Sequence, residues 1–221
     1  MQSDAKGRIF DVNFKLYPNE MGDVLVVVTG QAADQNVKQN QGVVQIVSAQ
    51  DGSLLGYNFL KASEVLPELK EQNGQVFLSE DQVEKLNEKI QAAGFDEKLT
   101  ADETPKFVIG YVESMTKHPK SDHLHITQVD LGNQKVQIVC GSPNIAEHVK
   151  VVVAKVGAMM PSGQIIWPGA LVGVPSNGMI CAARELNLKN APQKPGCLIL
   201  PDDFGQAGDA FDFARGNQLF A

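Results

Sequence analysis

His123-Leu124-His125-Ile126-Thr127, then Leu131-Gly132-Asn133-Gln134, then Lys135-Val136-Gln137-Ile138-Val139-Cys140: this stretch reads as strand, turn and returning strand. The first block alternates polar and apolar residues, as a half-buried strand requires. Working outward, Phe107 to Met115 and Val149 to Val156 are strands of the same texture. Pro161-Ser162-Gly163 is a turn, and Met179 to Ala182 and Cys197 to Leu200 complete the set. Short strands separated by Gly/Pro turns define an all-β domain over residues 106–212, either a small sandwich or a barrel. The residues alone do not choose between the two.

Upstream the texture changes. Ser79-Glu80-Asp81-Gln82 opens a helix with a capping box, in which Ser79 caps and Gln82 reaches back. Val83, Leu86 and Ile90 recur at helical spacing and form one apolar face. Gly94 stops the helix. Val24 to Thr29 and Gly42 to Ser48 are β-branched runs of strand length. Asp51-Gly52 marks a hairpin leading into Leu54 to Phe59. Ala62 to Leu69 is a short helix, and Gln31 to Gln41 is expected as an exposed Gln/Asn-rich loop. Residues 1–98 therefore read as a small α/β domain without catalytic spacing. Residues 99–105 read as a polar linker ending in Thr104-Pro105, and 213–221 as a C-terminal tail. The expected fold is an α+β domain followed by an all-β one.

Hydrophobic residues make up 43% of the 221 and charged residues 20%, enough for packed cores rather than disorder. No apolar run approaches the ~20 residues that span a bilayer. Met1 to Phe10 lacks the apolar stretch of a signal peptide, so a soluble cytoplasmic protein is expected. Cys140, Cys181 and Cys197 sit in apolar contexts without C-x-x-C spacing, as free buried thiols do. The net charge of −7 at first argues against nucleic acid, but it is unevenly spread. Residues 1–106 hold 10 Lys/Arg against 17 Asp/Glu, residues 107–200 hold 8 against 5, and residues 201–221 hold 1 against 4. Only the middle block is basic, a mild pointer to a nucleic-acid surface.

His118-Pro119-Lys120-Ser121-Asp122-His123-Leu124, followed by Gln128-Val129-Asp130-Leu131-Gly132, resembles the signature of a tRNA-binding domain. That domain is shared by bacterial phenylalanyl-tRNA synthetase beta chains, the C-terminal extension of methionyl-tRNA synthetases and EMAP-II-type cytokine precursors. The resemblance continues through Val139-Cys140-Gly141-Ser142-Pro143-Asn144 and Gly173-Val174-Pro175-Ser176-Asn177-Gly178-Met179-Ile180-Cys181 to Glu185-Leu186. It implies a five-stranded OB-fold barrel. The layout, with about 100 residues before the module and little after it, resembles the stand-alone bacterial YtpR-like tRNA-binding proteins; the length leaves no room for a synthetase catalytic domain. Many members of the family carry lysine where this chain has His123, which is mostly neutral near pH 7.

tRNA recognition by shape and backbone needs scattered cations and hydrogen-bond donors. The candidates are Lys117, His118, Lys120, Ser121, His123, Lys135, Lys150, Lys155 and Arg184, with Ser176, Asn177 and Met179. The resemblance implies that Ser176 and Met179 face RNA; both also read as a turn and the start of a core strand. Each lysine alone also reads as a solvated surface charge. Trp167 reads as a packed corner or a base-stacking ring. No metal site is expected, since His118, His123 and His125 lack further ligands at suitable spacing, and no cofactor is implied. There is no G-x-x-x-x-G-K-[ST] loop and no G-x-S-x-G elbow, so the reading is a non-enzymatic tRNA-binding protein. The alternative is an interaction or dimerisation module acting with synthetases or translation factors. Phe204, Phe211 and Phe213 are the hints of a homodimer surface.

Overall fold

Val24–Val28 (β2) and Leu54–Leu60 (β5) pair antiparallel along their length, because both carry β-branched or aromatic residues facing one core. Around them a computed structural model describes residues 13–16, 22–70, 72, 74–101 and 104–220. The expectations for Met1 to Phe10, for Asp102-Glu103 and for Ala221 lie outside the described residues. The chain divides into two units, residues 1–103 and 104–221.

The first unit is a six-stranded sheet ordered β3-β4-β5-β2-β1-β6. The remaining strands are β1 (Asn13–Leu16), β3 (Gln35–Asn40), β4 (Val43–Ser48) and β6 (Gly74–Val76). The 13-residue helix α2 (Glu80–Ala92) places Val83, Leu86 and Ile90 in one core with Leu25, Val27, Tyr57 and Phe59. The shorter helix α1 (Ala62–Val65) stops before Pro67, which opens a single 3-10 turn. Both halves of the Ser79–Gln82 capping box form. Ser79→Ala removes the side-chain acceptor of the Gln82 amide and is expected to cost about 1 kcal/mol in a denaturant titration.

Two expectations fail here. Gln31 to Gln41 is not a loop: Gln35–Asn40 pairs with β4 as an edge strand whose side chains are all exposed. With neither face buried it has no alternation to read. Leu99, expected in a linker, lies 3% exposed in the first core, because Asn87 clamps its backbone N–H and C=O.

The second unit is mostly β, with a nearly closed, barrel-like sheet of five strands ordered β13-β10-β7-β8-β9. These are β7 (Phe107–Lys117), β8 (His125–Asp130), β9 (Lys135–Cys140), β10 (Lys150–Ala154) and β13 (Met179–Ile180). The Asn177 amide donates to the Gln137 carbonyl and draws the free edge of β9 toward the start of β13. Val151 and Val153 of β10 face the barrel interior with Val108, Val129 and Ile138. Val152 and Ala154 face a second core with Ile109, Leu198 and Phe211. Burial on both faces explains the unbroken apolar run of β10.

The strand β14 (Ile199–Leu200) adds to β10. A hairpin, β11 (Gly169–Leu171) and β12 (Val174–Ser176), stands apart from the main sheet. Residues 213–220 are not a free tail: Asp212 caps the one-turn helix α3 (Phe213–Gly216). Phe213 packs edge-on against Phe107 and Phe211. Phe204 and Phe211 stack inside this second core, so they offer no dimer surface. The three cysteines are free and buried, as their contexts indicate. Among the described residues no helix is long and apolar enough to cross a membrane.

Candidate nucleic-acid interface

Cross-strand register decides which side chains share the outer face of β7, β8 and β9. Thr127 and Val129 are buried and point inward, so Ile126, Gln128 and Asp130 point outward. Their partners follow: Ser114 and Thr116 on β7, and Lys135, Gln137 and Val139 on β9. A bulge at Glu113 turns the second half of β7 so that Ser114 and Thr116 present hydroxyls there. Gln128 and Gln137 are joined by an amide hydrogen bond of 3.2 Å. The face thus carries the exposed Ser114 and Thr116 hydroxyls and the joined amides of Gln128 and Gln137, beside Ile126, Asp130, Lys135 and the buried Val139. Of Ser114, Thr116, Gln128 and Gln137 only Gln128 lies in a motif block, although the period-2 pattern of the paired strands contains the signal.

The loop 118–124 closes one end of this face. The His118 amide donates to the Leu124 carbonyl (3.0 Å). The Lys120 amide donates to His118 Nδ1 (3.0 Å), which leaves the ring proton on Nε2. Nε2 then donates to the Leu171 carbonyl at the tip of the β11–β12 hairpin (3.2 Å). His118 is 4% exposed. It is therefore a strut between loop and hairpin, and its expected role as an RNA ligand is corrected, since both nitrogens are used internally.

Ser176 is corrected for the same reason. It is 5% exposed; its Oγ accepts from the Val139 amide (3.1 Å) and donates to the Gly178 carbonyl (3.3 Å). With the Gln137 Nε2 bond to the Pro175 carbonyl (2.7 Å), it fastens the base of the hairpin to β9.

The other candidates divide. Lys117 and Lys120 are exposed, and neither ammonium has a partner among the described residues. Ser121 accepts from the Leu124 amide (3.3 Å) and shapes the loop. His123 is exposed and pairs with Asp122 (3.0 Å), which holds the Asp122 carboxyl below its usual range. Asn177 is exposed at the β9 side. Lys135 lies on the face but is paired with Glu113 (2.8 Å), which raises its pKa.

The remaining candidates are engaged elsewhere or within the fold. Lys155 follows β10, beside Lys106, where β7 begins; Lys117 ends the same 11-residue strand, about 30 Å of extended chain away. Arg184 donates to the Lys194 carbonyl. Lys150 holds the carbonyls of Asp202 and Gly205 and is structural. Met179 packs against the second core, and Asn144 clamps Cys197. Among the described residues no group of three His, Cys, Asp or Glu could hold a metal ion.

The second unit thus combines a barrel-like sheet, a largely polar outer face, a lysine-bearing loop and a pinned hairpin. Residues 107–209 match a family described as "Putative tRNA binding domain", and residues 30–102 match a domain of unknown function. The chain belongs to the YtpR-like family. It is 44% identical over 195 residues to "Putative tRNA-binding protein YtpR" of Bacillus subtilis, covering 87% of this chain and 96% of the relative. It is also 43% identical over 127 residues to the phenylalanine–tRNA ligase beta subunit of Oceanobacillus iheyensis, covering 54% of this chain but 16% of that one. A methionyl-tRNA synthetase-related protein from Pyrococcus horikoshii is similar at 21% identity and TM-score 0.35, over 46% of this chain and 84% of that one.

Proposed function

We propose that the chain is a non-catalytic, cytoplasmic tRNA-binding protein whose second unit is an OB-type barrel. The strand order supports the barrel type: β7, β8 and β9 form a meander, β10 crosses to the far side of β7, and β13 lies beyond it. Recognition is of shape and backbone. The single observation that carries this reading is an outer face bearing the Ser114 and Thr116 hydroxyls, bordered by the 118–124 loop whose Lys120 ammonium, like that of Lys117 at the end of β7, has no partner among the described residues. Cations neutralise phosphates, and neutral donors reach ribose and phosphate oxygens. The reading does not need a second protomer.

Filter binding of bulk tRNA against duplex DNA across a salt series tests it. Binding to tRNA is expected to be tighter and to weaken steeply with salt, since cation release contributes to it. Lys117→Ala with Lys120→Ala is expected to lower the salt slope by about 2, one for each phosphate no longer neutralised. Affinity at low salt should fall about tenfold or more, while the melting temperature holds, because exposed substitutions change stability by only about 0.5 kcal/mol. Equal affinity for tRNA and duplex DNA at moderate salt would sink the proposal.

A further inference from the structure

The β11–β12 hairpin has an unusual tip. Leu171 pairs with Val174, so the loop has two residues, Val172 and Gly173. Both have positive φ, 49° and 84°, the signature of the hairpin turn that favours Asn-Gly or Asp-Gly. Valine is poorly suited to that conformation, because its branched Cβ crowds the backbone. It is also left in solvent: Leu171 is 40% and Val172 54% exposed. The fold thus holds a strained apolar residue outward, where a polar one would be easier to accommodate. Strain of this kind gathers at ligand-contacting sites.

The tip is also fixed in place. His118 bonds the Leu171 carbonyl, while Gln137 and Ser176 secure the base to β9. The same His118 ring accepts from the Lys120 amide, so the apolar tip and the Lys120 loop share one strut. The carboxylate of that loop, Asp122, is occupied by His123. A rigid apolar point tied to a loop whose Lys120 ammonium has no partner among the described residues matches a nucleic acid strand, in which an apolar base lies next to a phosphate.

We propose that Leu171 and Val172 form an apolar wedge that packs against an unstacked nucleotide of the bound RNA, while Lys120 holds an adjoining phosphate. This rests on the reading of the chain as a tRNA-binding protein. Apolar wedges of this kind lie against bases in other nucleic-acid complexes. A folded RNA with loops and a single-stranded end supplies such a nucleotide, and a continuous duplex does not.

Val172→Asn separates the wedge from mere structure. It installs the favoured Asn-Gly pair, so the melting temperature should equal or exceed that of the wild type. It also removes the branched apolar tip. Each buried methylene-sized group is worth about a fourfold change in affinity, so tRNA binding should weaken about tenfold. The salt slope should stay unchanged, since no cation is removed. Trp167, the only tryptophan, stands two residues before the hairpin and reports binding by its emission.

Leu171→Ser is expected to act likewise, and neither variant should alter the residual affinity for duplex RNA. If Val172→Asn and Leu171→Ser bind tRNA as the wild type does, the wedge is overturned while the tRNA-binding reading stands. If the wild type itself does not bind tRNA, both fall. If the variants keep tRNA affinity but lose a protein that co-purifies with the wild type, the tip serves a protein partner and the wedge is likewise overturned.

Discussion

Gly56→Ala is expected to unfold the first unit. Gly56 lies in β5 between β2 and β4, in the interior of the sheet. Its φ is +156°, a region that L residues rarely occupy. A Cβ there would overlap the Val27 carbonyl oxygen. That oxygen belongs to a paired backbone strand and cannot rotate away as a flexible side chain would. The constraint comes from Leu55, the extra residue where the β4–β5 register slips from Ile46–Gly56 to Val47–Leu54. The Leu55 carbonyl accepts from both the Thr29 and Gly30 amides (2.9 and 3.1 Å). The bulge is therefore fixed to the chain just after β2.

Backbone strain of about 1–2 kcal/mol adds to an overpacking cost of about 1–3 kcal/mol. The sum is a large part of the stability of a domain this size. Amide hydrogen exchange should show protection lost across residues 24–60, with protection kept in β7 to β10. Retained protection at Val27 and Tyr57 in the variant would show that the sheet can shift to admit the methyl group.

Legibility from sequence tracks the range of the interactions. The α2 helix is readable because its cap, its apolar face and its stop lie within 16 consecutive residues. β8 and β9 are readable because alternation and turn are local. β10 is readable as a strand, but the reason for its apolar run is not, because one face is covered by Leu198 and Phe211 far along the chain.

The site is less legible. His118 and Ser176 belong to the motif blocks and have the chemistry of ligand residues. Their partners lie 53 and 37 positions away in sequence, and no local pattern announces a hydrogen bond of that span. A motif marks both the residues of a surface and those that hold the surface in shape, and only burial separates them. Conversely, Ser114 and Thr116 enter the face through a bulge that shifts register by one residue, a change that moves side chains to the opposite face. The Gln35–Asn40 edge strand is invisible for another reason, as it buries nothing.

The second unit should lose stability above pH 9, through its cysteines. Cys181 is fully buried, and desolvation pushes its thiol from 9.0 to about 12. Desolvation likewise pushes Cys197 from 9.0 to about 11. In the unfolded chain both ionise near their ordinary value. Between pH 9 and 12 the unfolded state therefore gives up protons that the folded state keeps, and ionisation pulls the equilibrium toward unfolding. Below pH 9 both states hold the protons, so the full stability is present there. The loss for Cys181 alone approaches something on the order of 4 kcal/mol at the top of the range, at about 1.4 kcal/mol per pKa unit.

Urea titrations at pH 7.5, 9 and 10.5, followed by Trp167 emission, report this unit. Lysines and tyrosines also titrate in that range, so Cys181→Ala is the comparator. It should cost some stability at pH 7.5 by leaving a small cavity, then lose less than the wild type as the pH rises. Parallel pH profiles for the two proteins would mean that the thiol ionises as easily inside the fold as outside it, and that the packing of Val152, Ala154 and Leu198 around it does not exclude water.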